Sequence, residues 1–268
     1  MGILNVTPDS FSDGGRFLSP SSAVRRGIEM AEEGADLIDV GGESTRPGAT
    51  RILVDEERQR VLPVIERLAK AVRVPLSIDS SNAEVAAQAL EAGASVVNDV
   101  TALRGDPQMA SVVARAHASV ILMHMAGTPR TMQHHPRYRD VVSEVVAFLS
   151  HAAEQAQQAG IARSRILIDP GLGFGKTPAH NLQLMHALRR FTALGFPVVV
   201  GPSRKSFIGQ TLDAEVDDRL SGTLACVAQA YACGVQVIRV HDVKPTVQMI
   251  RMLDAIKREG TPSRCGSG

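Results

Sequence analysis

Short apolar runs alternate with helical segments along nearly the whole chain, and this alternation limits the possible folds more than any other feature. Eight runs rich in Ile, Val and Leu recur: GILN (2–5), DLIDVG (36–41), LSID (76–79), SVVND (95–99), SVILMH (119–124), RILIDPG (165–171), PVVVGPS (197–203) and VQVIRVH (235–241). Uninterrupted apolar strands are typical of a parallel sheet that is buried on both faces. Strand and helix alternating eight times at a spacing of about 30 residues is the pattern of a (β/α)8 barrel, the TIM barrel.

The segments between these runs have the apolar period of helices that pack on one face. They span residues 22–33, 55–70, 82–91, 106–115, 138–159, 178–193, 217–233 and 245–258. Glycines follow these helices and are suited to cap them in the left-handed conformation, at Gly34, Gly93, Gly160, Gly195 and Gly234. A doubly wound open sheet is the alternative, but it would leave an edge strand with polar alternation, and none of the runs has it. We therefore expect one barrel domain over residues 1–260 and a flexible tail over 261–268.

Composition and charge exclude several classes of function. The formal net charge is +1 and aromatic residues make up 3% of the chain, without Trp, which disfavours a nucleic-acid-binding surface. No apolar run approaches the roughly 20 residues that span a bilayer, and no secretory leader is visible, so we expect no membrane partner and a cytoplasmic protein. Cys226 and Cys233 have no metal-type spacing, so we interpret them as thiols in a reducing compartment.

Polar or ionisable residues stand at the end of nearly every predicted strand. In a (β/α)8 barrel the carboxyl ends of the strands form one rim, and the active site lies there. For any single position, the preference of Asp and Asn for turns is an equally good explanation, but eight positions on one rim are hard to explain in that way. The rim offers amide and carboxylate groups together with cations, at Asn5, Asp79, Asn98, Asp169, Lys205, Arg239 and His241. This set suits a ligand with a hydrogen-bonding heterocycle at one end and an anion at the other.

Nine segments in order resemble the dihydropteroate synthase family. They are MGILNVTPDSFSDGG, ADLIDVGGESTRPGA, SIDS, VVNDV, LMHMAGTPRTMQ, ILIDPGLGFGK, GPSRKSFIG, RLSGTLA and VIRVHDVK, and together they extend from Met1 to about Arg258. The resemblance implies a transferase of folate biosynthesis, a target of sulfonamides. Such an enzyme condenses 6-hydroxymethyl-7,8-dihydropterin diphosphate with p-aminobenzoate, with Mg2+ as cofactor, and is usually a homodimer.

The sequence departs from the family pattern at two places. The family commonly has a β-hairpin before the first strand that plugs the floor of the barrel, whereas this chain begins at the strand. Either the start is trimmed or the plug is absent, and we expect a barrel without the plug, with lower stability rather than changed chemistry. The family usually has Lys or Arg where this chain has Asn82, three residues after Asp79. We expect the carboxylate to serve as in the family and a contact around it to differ.

The resemblance assigns the pterin to a set of acceptors, donors and apolar side chains. These are Asp79, Asn98, Val100, Met123, Asp169, Gly173 and Lys205. A carboxylate at Asp169 matches the amino and ring N–H pair of the pterin, and an amide at Asn98 offers both a donor and an acceptor. Val100 and Met123 would line the flat faces of the ring, and Gly173 would let the backbone approach. The alternative for Asp169 is a loop-capping role before Pro170.

The leaving diphosphate is assigned to Asn5, Arg46, Arg239 and His241. Asn5 would ligate Mg2+ through its amide oxygen, which is a hard ligand for a hard ion. Arg239 and His241 are two residues apart on a strand, so both would face the same way. The alternative for His241 is a histidine of the core. The catalytic residues implied by the resemblance are Asp79, Lys205, Arg239 and His241.

The arylamine is assigned to two loops, residues 6–17 and 45–50, and to the rim beside them. The residues are Thr45, Arg46, Pro47, Phe174, Lys205 and Ser206. Ser206 follows the seventh strand, where a helix N-terminus would receive the carboxylate. Two other functions fit a barrel of this kind: a pterin-binding methyltransferase-type domain, and an inactive pterin-binding module.

Overall fold

The structure is a computed structural model, and it describes residues 1–6, 20–44, 52–128, 131–133 and 135–259. All eight predicted strands are present among these residues; β1 and β3 match their apolar runs, and the other six are shorter than theirs. They are β1 (Gly2–Asn5), β2 (Ile38–Gly41), β3 (Leu76–Asp79), β4 (Val96–Asp99), β5 (Ser119–Met123), β6 (Ile166–Asp169), β7 (Val199–Val200) and β8 (Val237–Ile238).

The strands are parallel and follow one another in chain order around a ring. β1 to β6 form one six-stranded sheet, and β7 pairs with β8. Single parallel bridges join the two groups, between Ile168 and Val198 on one side and between Gly2 and Val240 on the other. The amide of Ile3 donates to the Val240 carbonyl at 2.9 Å, which links the last strand to the first. The predicted (β/α)8 barrel is therefore confirmed, and the open-sheet alternative is wrong.

Helices alternate with the strands and cover the outside of the ring. Their bounds are α1 (Pro20–Glu32), α2 (Val54–Ala71), α3 (Ala83–Glu91), α4 (Met109–Arg115), α5 (Val141–Gln158), α6 (Pro178–His186), α7 (Leu188–Thr192), α8 (Ser206–Leu212), α9 (Leu220–Ala232) and α10 (Val243–Glu259). Two differences from the sequence prediction stand out. The predicted helix over 178–193 is broken at Ala187, for which we find no structural reason, and the unpredicted α8 buries Phe207 and Ile208.

The two faces of the strands have different surroundings, and this difference creates the site. Outward side chains such as Leu4, Val40 and Ile78 belong to the large apolar core between the strands and the helices. Alternate residues point into the ring, where the fully buried Asp39 and Ser77 are found. The five predicted glycine caps all have positive φ, as a left-handed helix end requires. No helix among the described residues is long and apolar enough to span a membrane.

Candidate active site at the carboxyl rim of the barrel

Strand register sets the predicted polar residues side by side on the rim. Asn5 is the register partner of Gly41, Gly41 of Asp79, and Asp79 of Asn98, so one continuous row crosses four strands. Further around the ring, Met123 is paired with Asp169. A shared row on parallel strands gives the side chains the same orientation toward the axis of the barrel.

Gly41 has no side chain, so the side chains of its two neighbours in this row, Asn5 and Asp79, can approach each other. A Cβ placed on Gly41 would lie 3.5 Å from Cβ of Asp79 and 3.7 Å from Oδ1 of Asn5. It would also lie 3.7 Å from Oδ2 of Asp79. An amide oxygen and a carboxylate oxygen therefore border the same small space inside the rim.

Arg239 is held in the centre of the ring by two carboxylates. Its Nε donates to Oδ2 of Asp39 at 2.6 Å, and its Nη2 donates to Oδ2 of Asp79 at 2.7 Å. Asn98 donates to the same Asp39 oxygen at 3.0 Å. Three strands and the residue after β8 thus share one charge network. Arg239 lies just beyond β8, yet its amide still donates to the Val200 carbonyl.

Asp39 joins this network, and the sequence analysis missed it. It is fully buried within β2, and its second oxygen, Oδ1, has no hydrogen-bond partner among the described residues. The sequence held a signal, because an acid inside the apolar run LIDV is costly to bury unless it is paired. The predicted site residues were those at the strand ends, and Asp39 lies two positions before the end of β2.

Burial and mutual interaction shift the pKa values of this network. Burial raises the pKa of Asp79 to about 7; Arg239 opposes the shift, and the nearby Asp39 adds to it. Burial works against the charge of Arg239, but Asp39 and Asp79 outweigh it and raise the Arg239 pKa. A carboxyl that exchanges its proton near neutrality therefore lies beside a cation that stays charged.

Asp169 is buried at the end of β6 and holds the turn that follows it. Its Oδ1 accepts the amide N–H of Gly171 at 2.7 Å, so the capping role that was the alternative interpretation is present. Burial raises the pKa of Asp169, and the positive charge of Lys205 opposes this shift. A carboxylate has four lone-pair directions, so this one contact leaves it able to accept from a ligand.

The Lys205 side chain lies across the rim against Gly173, in the turn that follows Asp169. A Cβ on Gly173, whose φ is 82°, would lie 3.2 Å from Cδ of Lys205, so the lysine can take this path only across a glycine. Its Nζ donates to the Leu172 carbonyl and lies 4.8 Å from the centre of the Phe174 ring. Burial lowers the pKa of Lys205 to about 8, and Asp169 opposes this shift.

A small apolar cluster forms one wall of the site, separate from the main core. It contains Val100, Met123, Met125 and Met132, with Phe174 packed against it. Val100 and Met123 were predicted as ring-facing residues, whereas Met125 and Met132 were not. Thioether side chains adapt their shape and contact rings favourably.

His241 is fixed by Ser203, its neighbour across the last two strands. The Ser203 hydroxyl accepts the amide N–H of His241 at 3.2 Å and lies 2.9 Å from its ring Nδ1. A neutral ring that accepts the hydroxyl hydrogen at Nδ1 carries its own hydrogen on Nε2. His241 and Arg239 thus have different partners, although they were predicted to act side by side.

The loop after β7 is anchored from two sides. Arg204, at a φ of 56°, pairs with both oxygens of Asp242, Nε to Oδ2 at 3.0 Å and Nη2 to Oδ1 at 2.7 Å. Its amide donates to the Thr223 hydroxyl at 3.1 Å. Lys205 and Ser206 follow directly, and Ser206 is the exposed first residue of α8.

Other polar residues near the rim serve the loops. Asp99 accepts from Thr101 and from the amide of Leu103, so the turn explanation holds there. Asn82 caps α3, because its Oδ1 accepts the amides of the first turn at 2.9 and 3.2 Å. This cap explains what an Asn contributes where a basic residue was expected. Thr45, Arg46, Pro47, most of the 6–17 loop and residues 261–268 lie outside the described residues.

The oxygen donors at the rim are suitable for a magnesium ion bound mainly through substrate and water. No cluster of three or more His, Cys, Asp or Glu side chains that could hold a metal occurs in the described part of the chain. The Asn5 amide oxygen faces the same space as Asp79 Oδ2 and is a hard ligand. Mg2+ commonly takes one or two protein oxygens and completes its shell with phosphate and water, so these donors fit it.

Comparison with known proteins agrees with this architecture. The family described as Pterin binding enzyme matches residues 1–241. The dihydropteroate synthase of Escherichia coli K12 is 48% identical over 255 residues, which cover 95% of this chain and 90% of that protein.

Two solved structures are similar throughout. A Yersinia pestis dihydropteroate synthase with a sulfonamide drug complex has a TM-score of 0.92 and 45% identity, covering 96% of this chain and 93% of that one. The Xanthomonas albilineans dihydropteroate synthase with 4-aminobenzoic acid has a TM-score of 0.91 and 47% identity, covering 97% and 93%. The chain belongs to the pterin-binding enzyme family, and within it to the dihydropteroate synthases.

Proposed function

We propose that this protein condenses 6-hydroxymethyl-7,8-dihydropterin diphosphate with p-aminobenzoate to give 7,8-dihydropteroate and diphosphate. The observation that carries the proposal is the grouping on one rim of buried acceptors, an amide, two cationic side chains and a histidine. Family membership and the 4-aminobenzoic acid bound to the Xanthomonas albilineans relative support the same reaction.

The pterin grip uses Asp169, Asn98, Asp79 and Lys205. The pyrimidine edge of the pterin has an amino group and a ring N–H, which a carboxylate at Asp169 receives in pairs. Lys205 donates to the ring carbonyl or N5. Its bond to the carbonyl of the adjacent turn holds the amine at the rim and uses one of its three donors. Val100 and Met123 contact the ring faces, with Met125 and Met132 behind them.

The diphosphate grip uses Arg239, His241 and Asn5, together with Arg46. Arg239 is already oriented by Asp39 and Asp79, so it loses little freedom when the anion binds. The Nε2–H of His241 donates to a phosphate oxygen. Asn5 would hold Mg2+, which when bound would supply further neutralisation of the leaving group.

Bond breaking at the pterin methylene comes first in this scheme. The C–O bond to diphosphate breaks, and its electron pair leaves with the diphosphate. The electron-rich dihydropterin delocalises the resulting cation, and ionised Asp79 near the ring disperses the charge. The arylamine nitrogen then forms the C–N bond and gives its proton to water. Orientation and leaving-group electrostatics therefore account for the protein's contribution.

The arylamine site combines Phe174 and Ser206 with Thr45, Arg46 and Pro47. The Phe174 ring lies under the Lys205 amine and against the methionine cluster, so it offers a flat wall to a second ring. Ser206 is exposed at the start of α8, where it can donate to the carboxylate.

A turnover assay tests the proposal directly. The protein is incubated with the pterin diphosphate, p-aminobenzoate and Mg2+, and both products are measured; we expect dihydropteroate that disappears when EDTA removes the metal. Asp169→Asn is the matched site variant and should lose most activity. A methyltransferase-type barrel would instead transfer a methyl group from a methylated pterin, and an inactive module would bind pterin without turnover.

We further propose a homodimer formed through the last two helices. Met252 and Ile256, one helical turn apart on α10, are 61% and 58% exposed, and α10 packs along α9. Light scattering should give twice the monomer mass, and Met252→Glu with Ile256→Glu should give a monomer. An unchanged mass in the double variant would place the interface elsewhere.

We also propose that the protein works in the cytoplasm on small molecules, without a nucleic-acid or membrane partner. Cys226 and Cys233 are both free thiols, as is usual in a reducing compartment. The near-neutral net charge of +1 supports small-molecule substrates rather than a polyanion. Fractionation of the native host would test the location.

A further inference from the structure

A buried lysine that the reaction scheme does not use lies beneath the turn after β6. Lys176 is only 3% exposed and ends the motif DPGLGFGK. Its Nζ is 2.9 Å from the carbonyl oxygens of Gly171 and Phe174, and 3.0 Å from Nδ1 of His124. The His124 carbonyl oxygen lies 3.3 Å away as a fourth acceptor, so the acceptors around Nζ outnumber the three N–H donors of a lysine ammonium.

The turn formed by residues 171–175, here called the glycine turn, depends on outside contacts for its shape. Gly171, Gly173 and Gly175 all have positive φ, at 68°, 82° and 65°. Glycine adopts this conformation without strain but is free to adopt many others, so the backbone alone specifies the turn weakly.

Side chains from other elements receive the remaining carbonyls of the glycine turn. Lys205 donates to Leu172, Gln133 to Gly173 at 2.6 Å, and Tyr138 to Gly175 at 2.8 Å. Gln133 and Tyr138 lie at the surface or partly buried, and Lys205 is itself assigned to the substrate. Lys176 differs from these three side chains because it is interior and donates to two carbonyls of the turn. The Gly171 carbonyl precedes the Phe174 amide along the chain, and the Phe174 carbonyl follows it.

Phe174 is the residue whose location this arrangement decides. Its carbonyl is fixed by Lys176, and its amide donates to the Gly171 carbonyl at 3.1 Å, which Lys176 also holds. Its ring contacts the methionine cluster and the Lys205 amine. The pterin-facing Asp169, in contrast, is placed by β6, and it contacts the glycine turn through the amide of its first residue, Gly171.

We propose that Lys176 is a positioning residue for the arylamine site, which holds the glycine turn so that Phe174 faces the second substrate. The identity of the second substrate rests on the proposed function, whereas the geometry of the glycine turn does not. It predicts a selective effect: loss of the Lys176 donors should weaken p-aminobenzoate much more than the pterin.

The test compares Lys176→Met, which keeps length and removes all donors, with Lys70→Met on the exposed surface of α2. In Lys176→Met we expect the KM for p-aminobenzoate to rise tenfold or more, with kcat and the KM for pterin diphosphate within threefold of wild type. Lys176→Gln is shorter but keeps two donors, so its KM for p-aminobenzoate should lie between those of wild type and Lys176→Met. If the Met variant fails to fold, the same measurements are made on Lys176→Gln. Lys70→Met should match wild type.

Two outcomes overturn the proposal: an arylamine KM within twofold of wild type, or an equal rise of both KM values, which would indicate general damage. Hydrogen exchange gives a readout that needs no turnover. The amide of Phe174 should exchange at least tenfold faster in Lys176→Met, while those of α5 stay unchanged. If the wild-type protein made no dihydropteroate, the proposed function would fail, and the exchange rates would still decide whether Lys176 holds the turn.

Discussion

Replacing Asp39 by Asn separates the charge of the buried network from its shape. The amide has the size of the carboxylate, so its oxygen can still accept from Arg239 Nε and Asn98 Nδ2, now at 2.6 and 3.0 Å. The contact from Asn98 becomes a neutral hydrogen bond, whereas the contact from Arg239 keeps its charged donor and loses the ion pair. Arg239 keeps its second carboxylate, Asp79, and therefore stays paired.

The size of the effect follows from these two bonds. Hydrogen bonds to charged groups contribute about 1.5–3 kcal/mol and neutral ones about 0.5–1.5 kcal/mol, so the Asn98 bond loses roughly 1 kcal/mol, and the lost ion pair with Arg239 brings the cost to roughly 2–3 kcal/mol of unfolding free energy. This is below the roughly 3–5 kcal/mol for a buried ion pair left without any partner. For a chain of this size it corresponds to a fall in Tm of about 5–10 °C.

Thermal unfolding and a pH profile measure the two consequences separately. Asp39 helps to raise the pKa of Asp79 to about 7, so removal of its negative charge should lower that pKa. If ionised Asp79 is the active form, kcat/KM rises with pH through about 7 in wild type and at lower pH in Asp39→Asn.

Ser77→Ala is the matched control within the same barrel interior. Ser77 is the register partner of Asp39, and its buried hydroxyl has no hydrogen-bond partner among the described residues. Its removal should be neutral or slightly stabilising. The reasoning is refuted if Asp39→Asn unfolds at the wild-type temperature, or if the acid limb of its pH profile does not move.

Three further perturbations test separate parts of the site. Gly171→Ala should abolish folding or activity, because a Cβ there would overlap the His124 carbonyl oxygen at a φ of 68°, and a soluble, active variant would contradict this. Asp169→Asn should weaken pterin diphosphate binding by about 2–3 kcal/mol, the loss of charged acceptors, as titration calorimetry can measure. Activity should decline above about pH 8 as Lys205 loses its proton, since only the charged amine keeps all three donors; Lys205→Arg should move this decline to higher pH, and an unmoved limb would assign it to another group.

Much of this architecture could be predicted from the sequence because strands buried in a barrel appear in it as short apolar runs. All eight strands were found, and their order around the ring follows from chain order. The ends of the strands were less predictable. β7 and β8 are two residues long as regular strands, although the apolar runs continue, because only single bridges join them to the six-stranded sheet.

The missed residues have a common physical cause. Asp39 and Lys176 have roles set by contacts with residues 52 to 200 positions away or around a turn, and no local spacing encodes such contacts. Their signal in the sequence is a charge within an apolar or glycine-rich run, which burial makes costly unless partners exist. The role of Asn82 also became clear only in the structure, where its side chain caps α3.

The most direct test of the central claim is the stoichiometry of the two products in a single turnover. Enzyme in excess over pterin diphosphate, with Mg2+ and p-aminobenzoate, should convert it to one dihydropteroate for each diphosphate released, as quantified by mass spectrometry and a phosphate assay. Folded protein that binds the pterin diphosphate but forms no dihydropteroate would contradict the account.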